Sequence, residues 1–250
     1  MTIYSFTRMH CFLQCPQKYR YTYIEKQPIT PRCSIHQFLG KIIHHQLTYL
    51  YTMVSQNTIP SHTEIIEQLQ QEWKQTWDTA IHLPDAFDQE HYRQLAETYL
   101  SNFYHRLYPF NQDKILGIDQ KITLYRQGYR LIGFIDRLTQ PTPETIVIHE
   151  YKTTRKHFET LPNKTRLQVL LYTYAIHKLY PQIQNITAVL YFLAHNKDIR
   201  MTCTQQDLLK IQQWIKTTIS HIEQTQSYPK KPSSLCQWCQ YQGLCKIRLN

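Results

Sequence analysis

Apolar residues recur along this chain with two different periods, and the changes of period mark its elements. Residues 5–23 read as a short helix broken at Pro16, with Cys11 and Cys15 one turn apart. Ser34 reads as an N-cap for a helix to about residue 54, with Phe38, Ile42, Ile43, Leu47 and Leu50 on one face. Segments 61–80 and 85–108 repeat the helical period, Pro60 and Pro84 punctuate them, and Ile65, Ile66, Leu69, Trp73 and Trp77 form a stripe. The period then falls to two. Residues 115–125, 129–138 and 145–151 are rich in Ile, Leu, Val and Tyr, which predicts three strands in a meander. A helix over 163–180, strands over 186–194 and 198–203, and a closing helix over 205–226 complete the chain. This order predicts an α/β fold (an α+β mixed sheet) of about five strands flanked by helices. The expectation is a single domain over 1–250, with 52–110 as a helical insertion.

Within these elements, three short patterns share one chemistry: Gly40-Lys41-Ile42-Ile43-His44 on a helix, Gly133-Phe134-Ile135-Asp136 on a strand, and Glu150-Tyr151-Lys152 on the next. Alternation on a strand puts Glu150 and Lys152 on one face and Tyr151 on the other. Asp136, near the end of its predicted strand, sits beside Glu150 if the two strands pair. Two carboxylates suit a hard cation such as Mg²⁺ or Mn²⁺, and the imidazole of His44 inclines the set toward Mn²⁺. Such an ion activates water toward a phosphodiester, with Lys152 placed to hold that water or neutralise developing charge. Each pattern alone is commonplace, and the ordered set is what carries weight. His45 is the alternative imidazole, and the glycine-to-histidine spacing favours His44.

The 28 basic residues outnumber 18 acidic ones, a net charge of +10 that favours an anionic partner such as nucleic acid. No run approaches the ~20 apolar residues of a membrane span, and residues 1–12 lack the pattern of a secretory signal, so the expected location is cytoplasmic with no membrane partner. Seven cysteines in such a chain point to metal ligation rather than disulfides. Cys236, Cys239 and Cys245 form a compact knot, to which Cys15 brings a fourth thiolate; Zn²⁺ and an iron–sulfur cluster both accept four thiolates. Cys11 is a substitute ligand, and Cys33 and Cys203 read as buried thiols.

Gly-x-x-x-His, Gly-x-Ile-Asp, Glu-x-Lys and then Gln168-x-x-x-Tyr172 resemble the successive motifs of the PD-(D/E)XK nuclease superfamily, in its RecB-like branch. The resemblance spans nearly the whole chain, with 52–110 least matched. It implies a restriction-endonuclease-like core, with His44, Asp136, Glu150 and the main-chain carbonyl of Tyr151 binding the metal. It also implies catalytic roles for Asp136, Glu150 and Lys152, and DNA contact or support of the site by Gln168 and Tyr172. Cys15-Pro16 with the C-terminal cysteines is similar to the iron–sulfur subgroup of that superfamily, which includes the CRISPR-associated spacer-acquisition nuclease. That implies a structural [4Fe–4S] cluster on Cys15, Cys236, Cys239 and Cys245, with structural Zn²⁺ as the alternative.

Basic residues near the motifs, Arg155 and Lys156 foremost with Arg137 beside Asp136, are expected to contact the phosphate backbone without reading sequence. Tyr19, Tyr21 and Tyr23 read as core packing, with stacking on unpaired bases as the second option. The function expected is a divalent-metal-dependent DNA exonuclease acting on ends or single strands, with a helicase or integrase as partner. The competing expectation is a non-catalytic nucleic-acid-binding or adaptor protein of the same fold.

Overall fold

The computed structural model describes residues 1–28, 33–84, 87–110, 112–155 and 161–245, without the side chain of Trp238. Strand β1 (Thr2–Ser5) leads into helices α1 (Phe6–Gln14) and α2 (Pro16–Tyr19) and a π-helical turn, Arg20–Ile24. Helices α3 (Ile35–Ser55), α4 (His62–Thr76) and α5 (Gln89–Leu107) follow, then strands β2 (Lys114–Arg126), β3 (Tyr129–Thr142) and β4 (Thr145–Lys152). Helix α6 (Asn163–Leu179), strands β5 (Asn185–Phe192) and β6 (Lys197–Thr202), helix α7 (Gln205–Gln224) and a four-residue α8 (Gln242–Cys245) complete the order. The strands form one six-stranded mixed sheet in the order β1-β3-β4-β5-β6, with β2 also paired to β3.

The expected mixed α/β architecture is therefore present, with β1 as a strand beyond the anticipated five. Four residues are too few for a period to register, and β1 is recognisable only through its parallel pairing with Tyr129–Ile132 of β3. Strand β3 is also longer than expected. Thr142 still pairs with Thr145, and an irregularity between Thr139 and Thr142 absorbs Pro141. Asp136 consequently lies inside β3 rather than near its end.

By its contacts the chain divides into two compact units. The first combines residues 1–32, 123–133 and 205–250. Its core holds Tyr4, Met9, Phe12 and Tyr19 with Ile211, Ile215 and Ile219 of α7, and Phe6 stacks with Trp214. Tyr19 is fully buried, Tyr23 packs on Tyr19, Tyr21 packs on Tyr241, and Arg8 lies over the rings of Tyr4, Tyr19 and Tyr23. These contacts agree with the packing expectation for the three tyrosines.

The second unit, residues 33–122 and 134–204, contains α3–α6 and β4–β6. Helix α3 opens with a reciprocal cap: the Ser34 hydroxyl accepts from the Gln37 amide, and the Gln37 side chain accepts from the Ser34 amide. Its apolar face (Phe38, Leu39, Ile42, Ile43, Leu47, Leu50) packs in one cluster with Ile65, Leu69 and Trp73 of α4 and Leu100 and Phe103 of α5. Residues 52–110 are helical in the main, as the apolar period indicated, and α3 is held by both of its neighbours.

Candidate active site

The ladder between β3 and β4 brings the acids together. Arg137 lies opposite His149, so the next step sets Asp136 against Glu150, and the amide of Tyr151 donates to Asp136 Oδ2 at 2.8 Å. Alternation then divides the two strands by face. Asp136, Glu150 and Lys152 share one side, while Arg137, Thr139, His149 and Tyr151 share the other.

On the acidic side, His44 reaches in from α3. Its Nδ1 lies 3.1 Å from Asp136 Oδ1 and its Nε2 lies 3.2 Å from the carbonyl oxygen of Tyr151. Both partners accept hydrogen bonds, so satisfying both requires the imidazolium. Burial opposes that charge, but the hydrogen bond to Asp136 and its negative charge outweigh burial and raise the His44 pKa. Helix α3 approaches the end of β4 closely at Gly40, where a Cβ would stand 3.3 Å from Thr153 Oγ1, just past Lys152.

Glu150 is the most deeply buried of the set, 2% exposed. Its Oε2 accepts from Lys152 Nζ at 3.0 Å and from Gln168 Nε2 at 3.5 Å, and Lys152 Nζ also donates to Gln168 Oε1 at 3.3 Å. Gln168 Nε2 donates to the Tyr172 hydroxyl at 3.1 Å, so the two residues, one turn apart on α6, act as a bracket over the acid–lysine pair. Burial pushes the Glu150 carboxyl up to about 7, with the charge of Asp136 adding and Lys152 and His44 opposing. Its second oxygen, Oε1, is buried and has no hydrogen-bond partner among the described residues.

That orphaned acceptor is a direct test of whether a cation suits this place. A buried carboxylate oxygen without a donor costs about 1–3 kcal/mol, and a divalent ion would remove the cost. The other donors, Asp136, the His44 ring and the Tyr151 carbonyl, are of the oxygen and imidazole types that Mg²⁺ and Mn²⁺ accept. Among the described residues no three His, Cys, Asp or Glu side chains are already gathered as a closed metal cage. Lys152 Nζ beside Glu150 and the hydrogen bond between the His44 ring and Asp136 occupy part of this donor set instead.

A model of the PD-(D/E)XK nuclease superfamily matches residues 3–246. The chain belongs to that superfamily. Nucleases of this superfamily generally use divalent metals such as Mg²⁺. The solved structure of a candidate exonuclease from Eubacterium rectale is similar at a TM-score of 0.51 and 10% identity, over 94% of this chain and 91% of that one. A second solved structure, of SSO0001, aligns at a TM-score of 0.46 and 12% identity, over 100% of this chain and 88% of that one. No curated protein matches the chain in sequence.

One basic position falls differently from expectation for a nuclease surface. Arg137 is buried, 6% exposed, on the face opposite Asp136. It donates to the Tyr151 hydroxyl at 3.2 Å and to His149 Nδ1 at 2.9 Å, and its guanidinium lies 3.7 Å from the centre of the Tyr51 ring. Burial, followed by the charges of Arg137 and Arg200, holds the His149 pKa well below its ordinary value. The neutral ring therefore accepts from Arg137 at Nδ1 and donates from Nε2 to Thr139 Oγ1 at 2.9 Å. This network backs the strand that carries Glu150 and Lys152, and strict alternation from Asp136 was the signal that could have placed Arg137 in it. Arg155 is exposed, as is Lys41, three residues before His44 on α3. Lys156 and its neighbour His157 lie outside the described residues.

In the first unit, Cys15, Cys236, Cys239 and Cys245 line one cavity of about 40 Å³, several times the space one water needs. All four are free thiols. The Ser233 amide donates to Cys236 Sγ at 3.4 Å, and Lys230 Nζ donates to the Cys245 carbonyl at 2.6 Å. Burial raises the Cys245 pKa, Lys230 opposes, and Cys15, Cys239 and Cys236 add to the rise. The thiols share a cavity, yet among the described residues they too are not drawn into a ready metal cage. Cys11 is buried beside this group.

Proposed function

We propose that this nuclease is a divalent-metal-dependent DNA exonuclease acting on ends or single strands. The observation that carries the reading is the convergence of His44, Asp136, Glu150 and Lys152 on one face of β3 and β4, with Glu150 Oε1 left open. His44, Asp136, Glu150 and the Tyr151 carbonyl would hold Mg²⁺ or Mn²⁺. Once bound, such an ion polarises the phosphoryl oxygen and lowers the pKa of water.

The chain's own residues supply the rest. Lys152 offers an ammonium beside Glu150 to neutralise charge that builds on the phosphate, and Gln168 fixes where that ammonium points. Tyr172 holds Gln168 in turn. Asp136 orients His44 through one oxygen and the Tyr151 amide through the other, which aims the Tyr151 carbonyl at the imidazole. Exposed Lys41 and Arg155, with Lys156, are the proposed phosphate contacts that position the strand.

Cys15, Cys236, Cys239 and Cys245 are proposed to hold a structural [4Fe–4S] cluster, with Zn²⁺ as the alternative; the thiol-lined cavity and the N–H···S hydrogen bond to Cys236 support it. A helicase or integrase partner and a cytoplasmic setting belong to the same proposal. Among the described residues no helix is long and apolar enough to cross a membrane.

Lys152→Ala tests the reading. With Mn²⁺ and labelled single- and double-stranded oligonucleotides, degradation is expected to fall at least 100-fold, with the circular dichroism spectrum and metal content unchanged. Undiminished degradation by the variant would overturn the assignment.

A further inference from the structure

One side chain on the acidic face of β3 has no task in the core or in the metal reading. Ile135 and Arg137 are buried, whereas Phe134 points to the side shared with Asp136 and is 51% exposed. Single exposed apolar residues are ordinary on protein surfaces, so exposure alone says nothing. Position is what distinguishes this ring. The Tyr172 hydroxyl faces the main chain of Phe134, the same hydroxyl accepts from Gln168, and Gln168 reaches Glu150 and Lys152. The segment that presents the ring thus lies beside the residues that bracket the pair proposed to act on the phosphodiester.

Two residues along a strand span about 6.6 Å, the scale that separates a nucleotide's phosphate from its base. A phosphate at Asp136 and Glu150 therefore leaves an adjoining base within reach of the Phe134 face. A phenyl ring has no hydrogen-bonding group, so it accepts any base. Inside a duplex both faces of a base are covered by its neighbours, and only an unpaired base has a free face to offer.

We propose that Phe134 is a stacking platform for an unpaired nucleobase next to the reacting phosphate, and that it makes the site selective for single-stranded or frayed ends. The inference rests on the nuclease reading of the same site. Its recognition element is aromatic and sequence-tolerant, separate from the metal donors and from the lysine.

The experiment compares wild type, Phe134→Ala and Phe134→Tyr with Mn²⁺ on two single-stranded oligonucleotides, one intact and one with abasic residues through its terminal trinucleotide. Phe134→Ala is expected to lower kcat/KM on the intact strand about tenfold, mainly through KM. The abasic strand is expected to be cut equally by wild type and Phe134→Ala, and Phe134→Tyr to behave as wild type on both. Equal kcat/KM for wild type and Phe134→Ala on the intact strand would overturn the stacking site and leave the nuclease reading standing. A loss of the same size on both strands would also overturn it, because a merely structural defect does not distinguish a base from its absence. Wild-type protein that cuts neither strand would remove the nuclease reading and this inference together.

Discussion

At Glu150, burial and the neighbouring charge of Lys152 oppose each other. Its carboxyl is pushed up to about 7 mainly by burial, so folding takes up a proton between the unfolded value near 4.3 and that point. The raised value of His44 has the same sign. Both contributions are fully present below the unfolded pKa and are lost as pH rises through the folded one, that of Glu150 between about pH 4.3 and 7 and that of His44 from about pH 6.5 upward. Glu150→Gln removes the need to ionise a buried acid, and Lys152 keeps Gln168 Oε1 as an acceptor. Urea unfolding of metal-free protein at pH 8 is expected to show the variant more stable by about 1–2 kcal/mol, and at pH 5 close to wild type. A metal ion competes with these same protons. Mn²⁺ at a hundred times its dissociation constant should add about 2.7 kcal/mol at pH 8, and at a fixed concentration clearly less at pH 5.5. An equal rise in Tm at both pH values would separate the protonation of this site from cation binding.

Among the elements, α3 does the most to place the site, because it delivers His44 from a helix braced on α4 and α5. The capping box at Ser34 sets where that helix begins. Ser34→Ala is expected to cost about 1 kcal/mol in denaturant unfolding, with cleavage unaffected once the protein is folded; a change below about 0.3 kcal/mol would show that packing alone defines the start. This helix was legible because Ser34, Gln37 and the apolar positions after them agree on one period. The β3–β4 pair was legible for the same reason, and so was the shared face of Asp136, Glu150 and Lys152. Other features were not open to that reading. Strand β1 is too short to show a period and acquires its identity from a partner over a hundred residues away. The full length of β3 depends on a bulge that accommodates Pro141. Arg137 looked like part of a basic patch because charge suggests exposure, whereas a ring of tyrosines and a neutral histidine accommodate it within the core. The open oxygen of Glu150 is a matter of three-dimensional surroundings, and no spacing of residues encodes it.

For the whole molecule, the consequential fact is how the first compact unit is assembled from the chain. Its three segments, 1–32, 123–133 and 205–250, are separated by stretches that belong to the second unit. Aromatic and aliphatic contacts between α1 and α7 hold it, including Phe6 with Trp214 and Phe12 with His221, together with the hydrogen bond from Lys231 to the Leu13 carbonyl. Four thiols from its first and last segments line one cavity. A metal centre there would close a loop of more than two hundred residues. By the chain-entropy argument for cross-links, such a closure restrains the unfolded chain by about 5 kcal/mol. Loss of the centre should therefore loosen this unit first, because the second unit keeps its own large apolar cluster. Cys245→Ser is expected to reduce bound iron or zinc at least tenfold. Limited proteolysis of the variant, followed by mass spectrometry, should then show early cuts within 1–28 and 205–245, while a fragment covering 33–122 survives longer. Cys203→Ser, which alters a thiol outside the cavity, serves as the control and should leave both metal content and cleavage pattern as in wild type. If Cys245→Ser lost its metal but was cut no faster than wild type, the cluster would have no structural role, and the packing of α1 on α7 would suffice to hold the two ends of the chain.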